Sequence, residues 1–249
     1  MSGIFACSVN VGYNTATVGA GDQIALTVAF EKTTGGSIEV SNLVATATRN
    51  SSATFSAADQ IWRWDTANNQ WKQYFYSKKN NRTGTLDGWC TKESAGKALS
   101  NDVIPAGETF FYRNGGSASQ VLTLSGAVKT FSASPSYSVG AGDQCFMGYP
   151  WPVSLPIVDF VKFQAAPNAS ATFSAADQIW RWDNANSQWR QYFYSKKNNR
   201  TGTVDGWCTK ESAGKSLTVD AINAGEGFFF RNGGSATETI NFVYPIPVE

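Results

Sequence analysis

"QIWRWDTANNQWKQYFYSKKNNRTG" occupies residues 60–84, and "QIWRWDNANSQWRQYFYSKKNNRTG" occupies 178–202. Read as strand, polar turn and strand, each copy alternates its side chains. Trp62 and Trp64 fall on one face with Ile61 and Arg63 on the other, and on the returning strand Trp71 and Phe75 oppose Tyr74 and Tyr76. Asp65 and Asp183 open the turns, where a carboxylate caps the chain through Asx-type hydrogen bonds. Both faces are partly aromatic, so one lines a core and the other forms an aromatic strip for a second subunit or a sugar ring. The candidate contact residues are Trp62, Trp64, Tyr74, Tyr76, Lys78, Lys79 and Arg82, with Trp180, Trp182, Tyr192, Tyr194, Lys196, Lys197 and Arg200 in the second copy. Among them Tyr74 and Tyr76, beside the Lys78 to Arg82 loop, are expected to be exposed in an isolated subunit.

The repetition reaches beyond the hairpin. Between 53–118 and 171–236 only 11 of 66 positions differ, "VGAGDQ" recurs at 18–23 and 139–144, and "RNGGSA" closes both copies. The units run over 1–118 and 119–249, each of ordinary domain size, with a diverged front third and a nearly unchanged remainder. Other segments also read as strands: "DQIALTVAF" alternates, "GETFFYR" runs into the turn "NGG", and "QVLTLSG" alternates again. No segment sustains a helical period. The expectation is an all-β protein of two tandem homologous β-sandwich or small β-barrel domains.

Composition narrows function by exclusion. Charged residues make up 16%, with 20 basic against 19 acidic, so no global field draws the chain to nucleic acid or to an anionic membrane. The chain has no His, which removes imidazole acid/base chemistry, Ser-His and Cys-His nucleophile pairs, and imidazole metal ligands. Neither a signal peptide nor an apolar run long enough for a membrane helix is read in it. An aromatic content of 14%, on a surface made polar by Ser, Thr, Asn, Gln and Gly, suits an extracellular β-protein.

Cys7, Cys90, Cys145 and Cys208 fit no zinc spacing and leave two readings open, free thiols or disulfides. If bridges form, Cys7 with Cys90 and Cys145 with Cys208 are the expected pairs. "WDTANNQW" has the local form of a kelch hairpin, but two hairpins so far apart cannot close a propeller. "SAGKS" at 212–216 lacks the leading glycine of a phosphate loop, since Thr209 stands there. Asp59, Asp65, Asp87, Glu93, Asp102 and Glu108 recur 118 residues later, without a spacing that marks a glycosidase pair. Sequons stand at Asn50, Asn81, Asn168 and Asn199. No catalytic residue, cofactor or metal site is assigned, and the chain reads as a non-enzyme.

The succession "VGYNTATVGAGDQIALTVAF", "ADQIWRWDTANNQWKQYFY", "DGWC" and "AGETFFYRNGG" resembles secreted β-domain repeat proteins of Planctomycetes, Verrucomicrobia and Lentisphaerae type bacteria. The resemblance implies an extracellular, non-enzymatic protein. Three functions follow in order of expectation. The first is a structural or cell-surface subunit that assembles with copies of itself into a coat, layer or filament through the aromatic hairpins and terminal strands. The second is a bivalent carbohydrate-binding module. The third is a viral or phage coat protein.

Overall fold

The computed structural model describes residues 11–32, 36–65, 68, 70–79, 87–128, 135–183, 186, 188–197, 204–212 and 214–243. It is all-β, with antiparallel strands joined by turns and short 3-10 segments. In the first half a five-stranded sheet has the spatial order Gln23–Thr27, Thr109–Arg113, Gln60–Asp65, Gln70–Ser77, Gly88–Thr91. The second half carries a sheet of the same order, Gln144–Gly148, Gly227–Arg231, Gln178–Asp183, Gln188–Ser195, Gly206–Thr209. A second layer covers one face of each. Over the first sheet lie Val11–Val18, Gln120–Val128 and Phe30–Glu31; over the second, Ser136–Val139 pairs with Glu238–Asn241. Because Gln120–Val128 pairs with Val11–Val18 along its length, the first sandwich takes in strand beyond residue 118.

The alternation of the hairpin decides what each face touches. Ile61 and Tyr74 point into the first core with Ile24, Leu26, Phe110, Tyr112 and Trp89, opposite Val18, Leu122 and Leu124 of the covering layer. Ile179 and Tyr192 do the same in the second, where the Ile157–Phe163 segment adds Phe160 and Phe163. The Tyr face is therefore the core face, and the expected exposure of Tyr74 is corrected: Tyr74 and Tyr192 are both 0 % exposed. Their phenol tips explain the choice. Tyr74 Oη donates to Asp102 Oδ2 at 2.8 Å and Tyr192 Oη to Asp220 Oδ2 at 2.8 Å, so a large ring is buried with its hydroxyl satisfied. Tyr76 and Tyr194 are half-buried against the same cores, and the Arg49 guanidinium lies 4.8 Å from the Tyr76 ring centroid. Asp65 and Asp183 cap their turns as expected, accepting from the Asn68 and Asn186 side chains at 2.9 Å.

The expected Cys145–Cys208 bridge does not form. Cys90, Cys145 and Cys208 are free thiols, while Cys7 lies outside the described residues. The strands that carry Cys145 and Cys208 are the two opposite edges of one five-stranded sheet, about 19 Å apart at the usual strand spacing. Cys90 and Cys208 instead pack with Phe75 and Phe193 on the face away from the main cores.

Each sandwich is pinned by one buried aspartate. Asp59 accepts from the backbone N–H of Asn50 (2.8 Å) and Gly115 (2.9 Å), the Tyr112 hydroxyl (2.8 Å) and Gln120 Nε2 (3.0 Å). The repeated "RNGG" serves this junction: a Cβ on Gly115 would lie 2.3 Å from the Ala58 carbonyl, and Asn114 ties three backbone carbonyls together. In the second half Asp177 keeps the two backbone donors, but Phe230 and Glu238 replace Tyr112 and Gln120, and Gln164 donates instead at 2.7 Å. Burial pushes both carboxyls up, and the neighbouring Asp177 raises Glu238 further.

The change Glu238→Gln should therefore stabilise the chain at pH 7, by about 1 kcal/mol or more, by removing a buried like charge beside Asp177 while keeping a side-chain oxygen for the Ala166 amide. A carboxyl with a raised folded pKa contributes its full stability below its unfolded pKa and loses it as pH rises through the folded value. Thermal melts should thus show the advantage of the variant shrinking as pH falls through the raised range. A variant that melts lower than the parent at pH 7 contradicts this reading.

Candidate functional site

The Trp faces of the two five-stranded sheets point away from the cores and toward each other. They meet around a pseudo-two-fold axis, marked by residues of one half touching their own counterparts in the other. Phe111 and Phe229 have ring centroids 6.0 Å apart. A Cβ on Gly227 would lie 2.4 Å from Thr109 Cγ2, and one on Gly148 would lie 1.6 Å from Thr27 Oγ1. At an axis a side chain meets its own copy, so two threonines would collide. Glycine against threonine at both places lets the sheets approach. One of the 11 differences between the copies, Thr109 against Gly227, sits on this axis.

A continuous row of rings crosses it. Trp64 packs edge-on to Trp71 at 5.3 Å, Trp71 lies 5.6 Å from Phe111, and Phe111 stacks on Phe146 at 4.4 Å and 12°. Phe146 lies 4.7 Å from Phe229, Phe229 is 5.6 Å from Trp189, and Trp189 is 5.3 Å from Trp182. Trp62 and Trp180 stand further out, each with its indole N–H on a neighbouring Gln, at 2.8 and 2.9 Å. The duplicated Trp face is thus largely occupied within one chain.

Two clefts flank the axis. The first, of about 480 Å³, is bounded by Arg63, Trp64, Trp71, Gly107, Glu108 and Thr109 of the first half and by Tyr137, Gln144, Cys145, Phe146 and Phe229 of the second. Its charges cancel: Arg63 Nε lies 2.7 Å from Glu108 Oε1, and Arg63 Nη1 donates to the Val103 carbonyl at 2.9 Å. Burial pushes the Glu108 carboxyl up against the opposing pull of Arg63. The Tyr137 hydroxyl donates to the Gly107 carbonyl at 2.9 Å and joins the two halves at one end. Burial pushes the Cys145 thiol up to about 11, so it is a protonated, apolar part of the wall at neutral pH. Trp64 is 36 % exposed and forms the accessible lip.

The second cleft, of about 350 Å³, matches the Arg63, Trp64 and Glu108 part of the first, while the counterpart of its Trp71, Gln144 and Phe229 part is a separate space of about 210 Å³ lined by Gln23, Phe111, Trp182 and Trp189. Arg181 donates to Glu226 through Nε at 2.8 Å and Nη2 at 3.0 Å beside Trp182, and the facing wall is Thr15, Ala16, Thr17, Ile24, Ala25 and Leu26.

Of the sequence candidates, Trp64 and Trp182 reach the clefts, and Trp62 and Trp180 lie on the same face. Tyr74, Tyr76, Tyr192 and Tyr194 belong to the cores. Lys78, Lys79, Lys196 and Lys197 are exposed at the far end of the hairpins, with the Lys79 and Lys197 amides held by Asp87 and Asp205. Arg82 and Arg200 lie outside the described residues. Five of the six repeated carboxylates have structural partners, Glu93 standing exposed. The Asn50 and Asn168 side-chain amides donate to the carbonyls of Ala57 and Ala175, which commits the nitrogens of those two sequons. Asn81 and Asn199 lie outside the described residues. Among the described residues no group of three His, Cys, Asp or Glu is placed to hold a metal ion.

Sequence reasoning missed Arg63, Glu108, Tyr137, Gln144 and Phe146 as a group. The signal available was that Tyr137 and Phe146 stand where the first copy, aligned through "VGAGDQ", has Ala16 and Ala25. No family model matches the chain, and no curated protein and no solved structure matches it significantly.

Proposed function

We propose that the chain is a non-enzymatic carbohydrate-binding protein and that its ligand lies in the first cleft. One observation carries this: a concave site walled by Trp64, Trp71 and Phe146 whose charged groups neutralise each other. Aromatic walls favour a ligand with a flat apolar face, and the self-paired Arg63 and Glu108 favour a neutral one. Gln144 at the rim supplies polar groups for hydroxyls. A neutral saccharide has all three properties. The alternative, assembly through the hairpins and terminal strands, is less favoured because much of the Trp face packs within one chain.

The test is a glycan array probed with the full chain, followed by titration of the best neutral oligosaccharide against Trp64→Ala. Removing one stacked ring costs about 1–3 kcal/mol by analogy with base stacking, so binding should weaken at least about fivefold while the melting curve stays in place. Sedimentation of the same sample should give a single chain. A large particle that binds no glycan would instead favour a coat or layer subunit, and unchanged binding by the variant would remove the cleft.

A further inference from the structure

Resting on the saccharide reading, we infer that the chain holds one saccharide and not two, although its two hairpins are nearly identical, and that Phe146 makes the difference. Each cleft is half common and half private. The common wall, Arg63, Trp64 and Glu108, recurs residue for residue as Arg181, Trp182 and Glu226. The private wall comes from the opposite half, out of the diverged front third. There Tyr137 and Phe146 complete the first cleft, and Ala16 and Ala25 complete the second.

The consequence is steric and chemical together. In the first cleft Phe146, its ring centroid 6.1 Å from that of Trp71, extends the aromatic wall of Trp64 and Trp71, so a flat ligand meets a broader aromatic surface. In the second, Trp182 faces methyl and hydroxyl groups, and the rings of Phe111 and Trp189 border only the separate smaller space. The backbone also differs. Thr27 N donates to the Gly225 carbonyl at 2.7 Å and Thr27 Oγ1 to the Glu226 carbonyl at 3.1 Å, and Leu26 bridges to Glu226, so the loop at the second cleft is tied directly to the opposing strand. At the first cleft Gly148 stands in place of Thr27 and has no hydroxyl to make such a tie. The Gly107 carbonyl is met there by the longer Tyr137 side chain, and the first cleft is one continuous space of about 480 Å³, whereas the second side is divided into spaces of about 350 and about 210 Å³. Near-identity of the repeats therefore does not give equal sites, because each site borrows its second wall from the part of the chain that is not repeated.

Calorimetric titration of the full chain with neutral gluco-, manno- and galacto-oligosaccharides tests this. The expected stoichiometry is one per chain. Trp64→Ala and Phe146→Leu should each weaken binding at least about fivefold, whereas Trp182→Ala should stay within about twofold of the parent. Phe146→Leu keeps an apolar filler between Phe111 and Phe229, and its melting curve shows whether the fold is retained; if it is not, Trp64→Ala against Trp182→Ala decides alone. Two equivalent sites, or equal losses from the two Trp variants, overturn the inference while leaving the saccharide reading intact. A parent chain that binds none of these probes removes both.

Discussion

Replacing Gly148 with threonine should cost about 3 kcal/mol or more in denaturant unfolding, an upper-end value for forcing extra atoms into a closed contact. A Cβ there would lie 1.6 Å from Thr27 Oγ1 and 2.5 Å from Thr27 Cβ, so neither side chain can stay where it is. Gly148 does not have a positive φ, so the backbone accepts a side chain and the penalty comes from the opposing strand. That separation of causes makes the effect reversible by design. The second change Thr27→Gly, added to Gly148→Thr, moves the threonine to the other side of the axis and should recover at least half of the loss. If Gly148→Thr alone unfolds within about 0.5 kcal/mol of the parent, the two sheets do not touch at this point.

Asp59→Ala should be at least as severe, about 4 kcal/mol, and more severe than Asp177→Ala. Asp59 is 0 % exposed and accepts from two backbone amides, a phenol and a side-chain amide. Truncation leaves these donors buried without an acceptor, at about 1–3 kcal/mol each before relaxation. Asp177 lacks the phenol, because Phe230 stands in place of Tyr112, and it sits near Glu238. Its removal also relieves a like charge. Chemical denaturation of both variants at pH 7 checks the order, and equal losses, or a larger loss for Asp177→Ala, would contradict it.

Much of this fold is legible in the sequence, because strand alternation is a local property. The hairpin at 60–77, its Asx-capped turn and the strand at 109–113 follow from period two and from the turn residues. Which hairpin face goes inward does not follow, since both carry rings. Two distant facts settle it. Asp102 waits at the rim of the core to take the Tyr74 hydroxyl, and the other half of the chain covers the Trp face. Neither partner is close in sequence, and the basic loop beside the tyrosines suggested exposure for the wrong side chains. The cysteine pairing failed for the same reason: an expectation that Cys145 lies on a strand adjacent to Cys208 needs to know which sheet edge each strand takes, and the two take opposite edges.

The clefts were less legible still. Each wall alone reads as an ordinary strand, and only docking joins Trp64 to Phe146. The divergent front third, where Tyr137 and Phe146 replace two alanines, was visible throughout as a loss of similarity. Its meaning depends on the axis, because that is where one copy must differ from the other to complete the opposing wall.

The docking of the two halves carries both the cleft and the account of its function, and an engineered cross-link reads it directly. With Cys7 and Cys145 changed to serine to prevent exchange, Thr27→Cys and Gly148→Cys place two thiols across the axis. The Cβ separation of 2.5 Å built at these positions needs a shift of only about 1 Å to reach disulfide geometry, near 3.8 Å between Cβ atoms. Mild oxidation of dilute protein should give, by mass spectrometry after peptide mapping, a 27–148 bridge within a single chain. Thiols that stay free, or that pair only between chains, would contradict the internal pseudo-two-fold arrangement.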